Sequence, residues 1–370
     1  MRSIYKLIYK NIVKQVLFLM DPDFIHVLFL KIGNTLGSHS FTKKLTSLLL
    51  EHKSTRLVQT LCGIRFDNPV GLSAGFDKDG DIVGIVKEVG FGFESVGTLT
   101  PRPYAGNTKP WSRRLIKTKS ILVNYGLKNK GIDAFLKLCN NLDASYPYLI
   151  SVGKTNCPDT VTIEQGIKEY IEILTKLEKS NTGSVYEINI SCPNAYGGES
   201  FSNAKNLNTL LDEIAKLQLS KPIFLKMPIN LPYEEYDRML ATSVDHQISG
   251  VIIGNLNKDR SSYKIVDPID ESMKGNLSGM PTQNLSDKLI SHTFQKYGDK
   301  LIIVGVGGIF SFEDALRKIQ LGASLVELIT GMIFEGPQLI GNINQKLEHY
   351  LVENNIDNIS KIVGSSHKKS

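Results

Sequence analysis

Residues 191–194 (Ser-Cys-Pro-Asn) carry the side chains best suited to chemistry in this chain. They follow the apolar run 185–190, which predicts a buried strand and already contains Asn189. Proline is tolerated at the end of a strand and fixes the backbone there. A strand end that presents a nucleophile-sized thiol with a hydroxyl and two carboxamides indicates a site, and a buried structural cysteine is the alternative. We therefore take Cys192 as the candidate catalytic residue.

Two lysines lie in or directly after apolar runs, where a buried ammonium group would need an anionic or aromatic partner. Lys226 lies inside the apolar run 223–227, and burying an unpaired ammonium there is costly. An anion or an electron-rich ring is therefore expected beside it. Lys78 follows another apolar run and stands between two aspartates, so it either reaches the same site or lies in a solvated loop.

Glycine-rich turns after the last two apolar runs indicate a phosphate-binding site. Gly307 and Gly308 end one run, and Thr330 and Gly331 end the next. In a parallel barrel, the loops after the seventh and eighth strands hold phosphate on backbone N–H groups at a helix N-terminus. Ser311 can cap the helix that follows the glycine pair. A phosphate cradle, two cations and a thiol together suggest a flavin nucleotide, whose chemistry a nearby lysine tunes.

The elements that must position these residues alternate between strand and helix from about residue 62. Eight apolar runs are rich in β-branched residues, as strands buried on both faces are. These runs are 70–74, 91–98, 148–152, 185–190, 223–227, 250–254, 301–306 and 324–329. Amphipathic segments between them predict helices, for example at 162–177, 204–217, 233–244 and 312–321. The pattern predicts an α/β fold, a closed (β/α)8 TIM barrel with its site at the carboxyl ends of the strands, and the alternative is a doubly wound open sheet.

The first 50 residues have a different pattern and predict a small helical extension. Apolar residues recur at helical spacing across 4–19, with lysines on another face. The segment 21–23 (Asp-Pro-Asp) should break that helix and cap a second one, which Gly33 and Gly37 should end. Two short apolar helices with basic flanks are typical of a membrane-surface anchor, and a helical cap on the main domain is the alternative.

Composition limits the class of protein. The 370 residues are 41% apolar and 22% charged with a formal net charge of +6, which is ordinary for a globular chain and does not indicate nucleic acid as a partner. The four cysteines have neither a disulfide-framework nor a zinc spacing, so no metal site is expected. No stretch reaches the length of a membrane span. We expect a helical extension at 1–50, a barrel at 51–355 and a polar C-terminal tail at 356–370.

Several stretches resemble the dihydroorotate dehydrogenases, which are FMN-dependent barrels of pyrimidine synthesis. They are 68–80, 97–103, 189–194, 277–279 and 303–309. The segment 21–26 further resembles the quinone-tunnel helices of the membrane-associated, quinone-using class 2 enzymes, and its soluble relatives lack this extension. The resemblance covers nearly the whole chain.

This resemblance implies oxidation of dihydroorotate to orotate on the de novo route to UMP. A base would take the C5 proton, the C6 hydride would pass to FMN, and electrons would leave to a membrane quinone. It also implies a peripheral protein of a bacterial inner membrane, on the cytoplasmic side, or of a mitochondrial inner membrane. One alternative is a divergent FMN oxidoreductase acting on another reduced pyrimidine or using another acceptor. Another is a barrel that has lost its flavin site and catalyses nothing.

The resemblance also assigns roles to individual residues. Cys192 would be the base, and His26 would lie along the quinone path. FMN would contact Ala74, Gly75, Lys78, Thr98, Asn189, Lys226, Gly279, Gly307, Gly308, Thr330 and Gly331. The substrate would contact Asn124, Tyr125, Gly126, Leu127, Asn189, Asn194 and Asn255.

The chain departs from the family pattern at several positions. The quinone class usually has serine where Cys192 stands, and a thiol matches neutral pH better because its reference pKa is about 8.5. Other departures are Val123 and Ser151 for Asn, Gly254 and Leu256 for Thr, Asn276 for Gly, and Trp111 for Arg. Each lost hydrogen bond is worth about 1–3 kcal/mol, and shifted side chains such as Asn124 and Asn129 could replace some of them.

Overall fold

The computed structural model describes residues 5, 7–138, 142–143, 145–270 and 272–368. Its strands, in chain order, are β1 (Gln59–Leu61), β2 (Ile64–Phe66), β3 (Val70–Leu72), β4 (Phe93–Leu99), β5 (Ser112–Leu115), β6 (Ser120–Val123), β7 (Tyr148–Val152), β8 (Val185–Asn189), β9 (Ile223–Met227), β10 (Gly250–Ile253), β11 (Asn276–Leu277), β12 (Ile302–Val306) and β13 (Leu325–Leu328). The N-terminal residues Arg2, Ile4 and Lys6, together with Cys139 and Lys369, lie outside the described residues.

Eight of these strands close into a parallel barrel in the order β3-β4-β7-β8-β9-β10-β12-β13. Each corresponds to one of the eight apolar runs, so the predicted TIM barrel is confirmed and the open sheet is wrong. Apolar side chains from both faces of the strands are buried, which is why the runs are continuous rather than alternating.

Helices cover the outside of the barrel and follow its strands. In chain order, the helices are α1 (Lys14–Leu19), α2 (Pro22–Gly37), α3 (Ser40–Leu50), α4 (Val86–Val89), α5 (Ile132–Leu138), α6 (Ile163–Ser180), α7 (Ala204–Ala215), α8 (Tyr233–Asp245), α9 (Met280–Tyr297), α10 (Phe312–Gln320), α11 (Thr330–Glu335) and α12 (Leu339–Glu353). The four predicted amphipathic helices are confirmed as α6, α7, α8 and α10. Ser311 caps α10 as expected, because its side chain accepts from the backbone N–H of Asp314.

The interior of the barrel is built in layers. One apolar layer combines the β2 residue Phe66 with side chains from seven barrel strands, and the β1–β2 hairpin packs against it. These are Phe93, Leu149, Val185, Phe224, Ile252, Val304 and Leu325. On five of these strands, the side chain two residues further toward the carboxyl end is polar. The hairpin itself was not predicted, because its two strands of three residues are too short to show a period.

The N-terminal extension is helical, as predicted. A short π-helix at Tyr9–Val13 leads into α1. The side chain of Asp21 then accepts from Phe24 N at 2.8 Å, and Pro22 occupies the first turn of α2. The helix α3 was not predicted. Its apolar residues Phe41, Leu45, Leu48 and Leu49 do recur at helical spacing. Lys43 of this helix pairs with Glu88 of α4 at 3.4 Å.

Gly33 does not end α2, which corrects the prediction. The helix continues to Gly37, and both glycines lie on the side that faces the loop before α4. A Cβ on Gly33 would lie 2.7 Å from Cγ2 of Ile82, and a Cβ on Gly37 would lie 2.8 Å from the carbonyl carbon of Gly84. The two glycines therefore serve close packing of α2 onto the barrel, and only Gly37 also stands at the helix end.

Two further segments differ from expectation. An antiparallel sheet, β5-β6-β11, lies at the mouth of the barrel and was not predicted. Residues 356–370 are not simply a polar tail, because Ile359 and Ile362 are buried and Asn358 Nδ2 donates to Val58 O at 2.9 Å. Among the described residues, no helix is both long and apolar enough to span a membrane.

Candidate active site

One continuous cavity of about 320 Å³ lies between the carboxyl ends of the barrel strands and the helices α1 and α2. The structure brings nearly all the predicted site residues to its wall. They are His26, Ala74, Gly75, Lys78, Thr98, Tyr125, Gly126, Leu127, Asn189, Cys192, Asn194, Lys226, Asn255, Gly279, Gly307, Gly308, Thr330 and Gly331. The cavity has a polar end at the barrel mouth and an apolar end between the helices.

Asn124 is the predicted site residue that does not line the cavity. Its Oδ1 accepts from Asn107 Nδ2 at 3.1 Å, and Val123 lies at the cavity wall beside it. Asn129 is also engaged elsewhere, since its Nδ2 donates to Thr100 Oγ1 at 2.7 Å and to Leu127 O. These two side chains therefore do not replace the hydrogen bonds lost at the positions that depart from the family pattern.

The Cys192 thiol is partly buried at the cavity wall. Burial raises the pKa of Cys192 to about 11, although the backbone N–H of Asn194 and the charge of Lys226 act in the opposite direction. A good match to neutral pH was expected from the reference thiol, and burial removes that match. The loop that carries Cys192 is held by Lys154, which donates to Thr160 O and Tyr196 O at 3.0 Å each.

Lys226 has the anionic partner that its apolar setting requires. Its Nζ lies 3.3 Å from Oε1 of Glu187 on the neighbouring strand. Burial acts to lower the pKa of Lys226, but Glu187 and Glu327 outweigh it and raise that pKa above its ordinary value. The predicted anion is therefore supplied, at least in part, by the protein itself.

Hydrogen bonds across three strands orient Asn189 at the mouth. Asn189 Nδ2 donates to Thr98 Oγ1 at 2.8 Å, and Thr98 shares a hydrogen bond of 2.9 Å with Ser151 Oγ. Ser151 in turn donates to Oε1 of Glu187 at 2.8 Å. Ser151, one of the departures from the family pattern, thus links the mouth of the barrel to the Glu187–Lys226 pair.

Lys78 is a buried cation without a hydrogen-bond partner among the described residues. Only 9% of it is exposed, so the alternative of a solvated loop is wrong. Its Nζ lies 4.1 Å from the ring centroid of Tyr125, a cation–π contact that compensates only part of the cost of burial. Burial, followed by repulsion from Lys128, lowers the pKa of Lys78 to about 7. An anionic ligand at the barrel mouth would supply the missing partner.

His26 lies where α2 passes over the barrel mouth. Its Nε2 is 2.8 Å from Phe76 O, and a carbonyl only accepts, so Nε2 carries the hydrogen and Nδ1 keeps its lone pair. Burial, followed by the charge of Lys78, lowers the pKa of His26 to about 3, so its ring is neutral at physiological pH.

The glycines at the mouth allow close backbone approach. A Cβ on Gly331 would lie 1.8 Å from Ile309 O, so only glycine lets the β13 turn pack against the β12 turn. Gly75 has φ +110°, and a Cβ there would meet only Ile329, at 3.8 Å, and would otherwise occupy free space. Thr330 Oγ1 is 2.9 Å from Ser278 Oγ. This arrangement leaves backbone N–H groups and hydroxyls at the cavity wall, as phosphate binding requires.

Two residues in or beside the site, Arg114 and Asp23, were missed by sequence reasoning. Arg114 of β5 lines the cavity, donates to Met20 O at 2.7 Å and covers the ring of Phe18. The Asp23 carboxylate accepts hydrogen bonds from Trp111 N, from Ser112 Oγ and from the hydroxyl of Tyr125. A carboxylate at the start of an apolar helix could have marked Asp23 as a residue with buried partners. Those partners could not be identified from the sequence, because they lie about 90 residues away.

The fold and the cavity define a (β/α)8-barrel protein with a ligand site at the carboxyl ends of its strands and a helical N-terminal cover. Residues 56–351 match the family model described as dihydroorotate dehydrogenase. The chain belongs to this family.

Individual relatives match over nearly the whole length of the chain. A protein of Trichodesmium erythraeum named dihydroorotate dehydrogenase (quinone) is 33% identical, covering 98% of this chain and 99% of the relative. A protein of the same name from Christiangramia forsetii is 34% identical, covering 92% and 98%. The crystal structure of the Eimeria tenella enzyme in complex with ferulenol has a TM-score of 0.82 and 25% identity, covering 94% of this chain and 96% of that one.

Proposed function

We propose that this chain oxidises dihydroorotate to orotate in pyrimidine biosynthesis and passes the electrons through bound FMN to a membrane quinone. The observation that carries the proposal is the single cavity with two unlike ends, together with membership of the family. Its polar end suits a small anionic substrate, and its apolar end suits a lipid-soluble acceptor.

FMN fits the residues at the barrel mouth. The glycine turns 307–308 and 330–331 supply a phosphate cradle, and Gly75 leaves room for a ring to approach the backbone. Lys226 and Lys78 provide two cations beside it. When bound, the flavin supplies the two-electron acceptor that no side chain of the protein offers.

The side chains at the polar end orient the substrate and move its proton. Asn194 Nδ2 donates to Val123 O at 3.0 Å, and its Oδ1 accepts from Asn276 Nδ2 at 2.7 Å. Asn255 Nδ2 donates to Ser191 O at 2.8 Å. These bonds fix the amides around Cys192, whose thiolate takes the C5 proton. Lys78 pairs with the negative charge of the substrate or of the flavin.

The apolar end is the route to the quinone. Its wall includes Leu17, Phe18, Ile25, Phe29, Met332 and Ile333. Polar groups among them include His26, whose Nδ1 is a hydrogen-bond acceptor, and the Arg114 guanidinium, which is a donor. A quinone carries two carbonyl acceptors on an otherwise apolar ring, so Arg114 can donate to one of them while the wall buries the rest.

The outer face of the extension is suited to a membrane surface. Leu19, Phe41 and Leu48 are 89%, 77% and 69% exposed. The first 50 residues hold seven of the 43 basic residues and two of the 37 acidic ones, so they carry five of the six net positive charges. An exposed apolar face with basic flanks binds the interface of an anionic bilayer. The chain is therefore a peripheral membrane protein, of a bacterial or mitochondrial inner membrane.

An anaerobic absorption spectrum of the purified protein, recorded before and after dihydroorotate is added, tests this function. A yellow protein whose flavin band bleaches would establish the first half-reaction, and reoxidation by a quinone would establish the second. A yellow protein that does not bleach would contradict the proposed substrate, and Val123, Ser151 and Leu256 would then be the positions to examine. A colourless protein that cannot be reconstituted with FMN would contradict the cofactor.

A further inference from the structure

The interior of the barrel changes from apolar to polar in a single step toward the cavity. Two residues beyond the apolar layer lie Ser95, Ser151, Glu187, Lys226 and Glu327, each at most 5% exposed. We call these five side chains the polar layer. Lys226 and Glu327 also line the cavity, so the polar layer forms part of its floor.

The polar layer contains two carboxyl groups and one ammonium. Lys226 is paired with Glu187, as described above, and Ser151 donates to the same carboxylate. Glu327 accepts from Ser95 through Oε1 at 2.7 Å. Its Oε2, like Oε2 of Glu187, is buried and has no hydrogen-bond partner among the described residues. Of the two carboxyl groups, Glu187 is the one whose oxygen lies within ion-pair distance of Lys226. Full ionisation would leave one negative charge uncompensated in a dry interior, which is costly.

The groups around Glu327 favour its protonated, neutral form, which removes the uncompensated charge. It is faced by Ser73 at the end of β3, Ser95 of β4, Glu187 of β8 and Lys226 of β9. The strands β10 and β12 contain no ionisable residue. Burial, followed by repulsion from Glu187, raises the pKa of Glu327 to about 7, whereas Lys226 acts in the opposite direction.

We propose that Glu327 holds a proton at the floor of the cavity and acts as a positioning residue toward the flavin. The protonated Oε2 donates a hydrogen bond into the cavity, and the Glu187–Lys226–Glu327 cluster is then neutral. The inference rests on the proposed function, because that function places the flavin beside Lys226.

The charge of this cluster affects how readily the flavin takes up electrons. Above the pH at which Glu327 ionises, the cluster carries one negative charge, which opposes the gain of electrons by the ring next to it. Reduction of the flavin then draws one proton from solvent water onto Glu327. The two electrons come from dihydroorotate, and the proton returns to solvent when the electrons pass to the quinone. Reduction of the flavin and uptake of a proton are thereby linked through Glu327.

The flavin midpoint potential, measured as a function of pH in the FMN-loaded protein, tests the coupling. The variant Glu327→Gln mimics the protonated carboxyl group with a neutral amide of similar shape. Above about pH 7, the wild type should take up one more proton per two electrons than Glu327→Gln does, and its potential should fall more steeply with pH. Equal slopes in the two proteins would overturn the proposal.

Glu94→Gln is the matched control. Glu94 is also fully buried, and both of its carboxyl oxygens lack a hydrogen-bond partner among the described residues, but it does not line the cavity. This variant should keep the wild-type slope. If Glu327→Gln does not fold, Ser95→Ala serves instead. It removes the donor to Oε1 of Glu327, so the steep range should begin at a higher pH, and an unchanged onset would count against the proposal.

Infrared spectroscopy of the FMN-free protein separates this inference from the proposed function. A carboxylic acid C=O band that titrates near neutral pH should be present in the wild type and in Glu94→Gln and absent from Glu327→Gln. If FMN does not bind, the proposed function fails, but this band still locates the proton. If FMN binds and no such band is lost from Glu327→Gln, Glu327 is not the proton carrier.

Discussion

The protein environment changes the acidity of the Cys192 thiol. The thiol is a stronger acid than a serine hydroxyl, yet burial raises its pKa to about 11. At neutral pH, only a small fraction is then present as thiolate. As the proposed base, Cys192 would become effective at alkaline pH or when a bound ligand adds positive charge or hydrogen-bond donors beside it.

Removing the thiol should strongly slow the first half-reaction. For Cys192→Ala we expect flavin reduction by dihydroorotate to slow by about 10²–10⁴-fold, because proton removal from C5 loses its base. FMN content should be unchanged. In the wild type, the rate of reduction should rise with pH between 6 and 9, since the thiolate fraction rises toward a pKa of about 11. Stopped-flow absorbance under anaerobic conditions measures both effects.

The control for this experiment is Cys157→Ala, because Cys157 is also partly buried but does not line the cavity. It should reduce its flavin at the wild-type rate. Turnover retained in Cys192→Ala would contradict the assignment of the base, and a rate independent of pH would contradict the titration of Cys192.

Lys78 is expected to reduce the stability of the protein in the absence of ligand. Its pKa is about 7 in the folded state and near its ordinary value of 10.5 when unfolded, so the unfolded state binds more protons between these values. Stability of the FMN-free wild type should therefore rise from pH 7 to pH 10. Lys78→Met should be more stable at pH 7 by on the order of 2 kcal/mol, and the difference should shrink toward pH 10.

Urea unfolding of the FMN-free proteins across this pH range measures the effect. Lys53→Met is a suitable control, because the Lys53 side chain is 76% exposed and its removal should change stability little. The same Lys78→Met protein should bind FMN or dihydroorotate more weakly. A variant that is destabilised at pH 7 would show that the Tyr125 contact outweighs the cost of burying the ammonium.

At the scale of elements, one carboxylate attaches the helical extension to the barrel mouth. Asp23 of α2 accepts from Trp111 N at 3.0 Å, Ser112 Oγ at 2.6 Å and the Tyr125 hydroxyl at 2.9 Å. Three donors meet one carboxylate, and an amide cannot satisfy all of them, because its NH₂ group would face a donor. The strand β5 and the helix α2 are thereby held in one position relative to each other.

Asp23→Asn should therefore loosen the apolar end of the cavity and leave the polar end intact. We expect a loss of about 1–3 kcal/mol in stability. Reoxidation by a quinone should fall more than reoxidation by a small water-soluble acceptor. Asp21→Asn is the control, because asparagine caps a helix as well as aspartate does, and it should resemble the wild type in both assays. Equal losses with both acceptors would argue against a separate quinone route.

The elements also show what the sequence could and could not reveal. The eight barrel strands and the helices α6, α7, α8 and α10 were predictable, because each has a strong local pattern. The sheet β5-β6-β11 was not, because it joins segments about 150 residues apart through strands of two to four residues. The end of α2 was misplaced because Gly33 is a packing contact in this helix, and no local pattern distinguishes that role from a stop.

The site was predictable by residue type more than by geometry. The residues from 74–75 to 330–331 gather at one mouth because parallel strands all end there. Asn124 does not line the cavity, although Val123 and Tyr125 on either side of it do, because neighbouring side chains point in different directions. The pairing of Lys226 with Glu187 and the isolation of Glu327 depend on barrel closure, which places residues from β8, β9 and β13 in one layer.

At the scale of the whole molecule, the extension presents an apolar face to its surroundings. Replacing the exposed Leu19, Phe41 and Leu48 together with glutamate should abolish binding to vesicles that contain anionic lipid, because both the apolar area and the positive charge are reduced. Flotation with such vesicles measures binding, and added salt should weaken the wild-type interaction.

Val352→Glu is the matched control, since Val352 is an exposed apolar residue on α12, outside the extension. It should bind vesicles as the wild type does. If the triple variant still floats with the vesicles, or if the wild type binds neutral vesicles equally well, the surface or its preference for anionic lipid is assigned incorrectly.

The packing of α2 onto the loop before α4 joins the outer surface to the inner site. His26 contacts Phe76 O, Asn34 Nδ2 donates to Asp81 O at 2.8 Å, and Gly37 packs on Gly84. The same loop carries Lys78. A change in the position of α2 that alters the affinity for an anion at Lys78 must obey thermodynamic reciprocity. If binding to the proposed membrane surface changes the affinity for substrate by some factor, bound substrate must change the affinity for that surface by the same factor. The concentration of dihydroorotate would then also set the fraction of the protein that is bound to the bilayer.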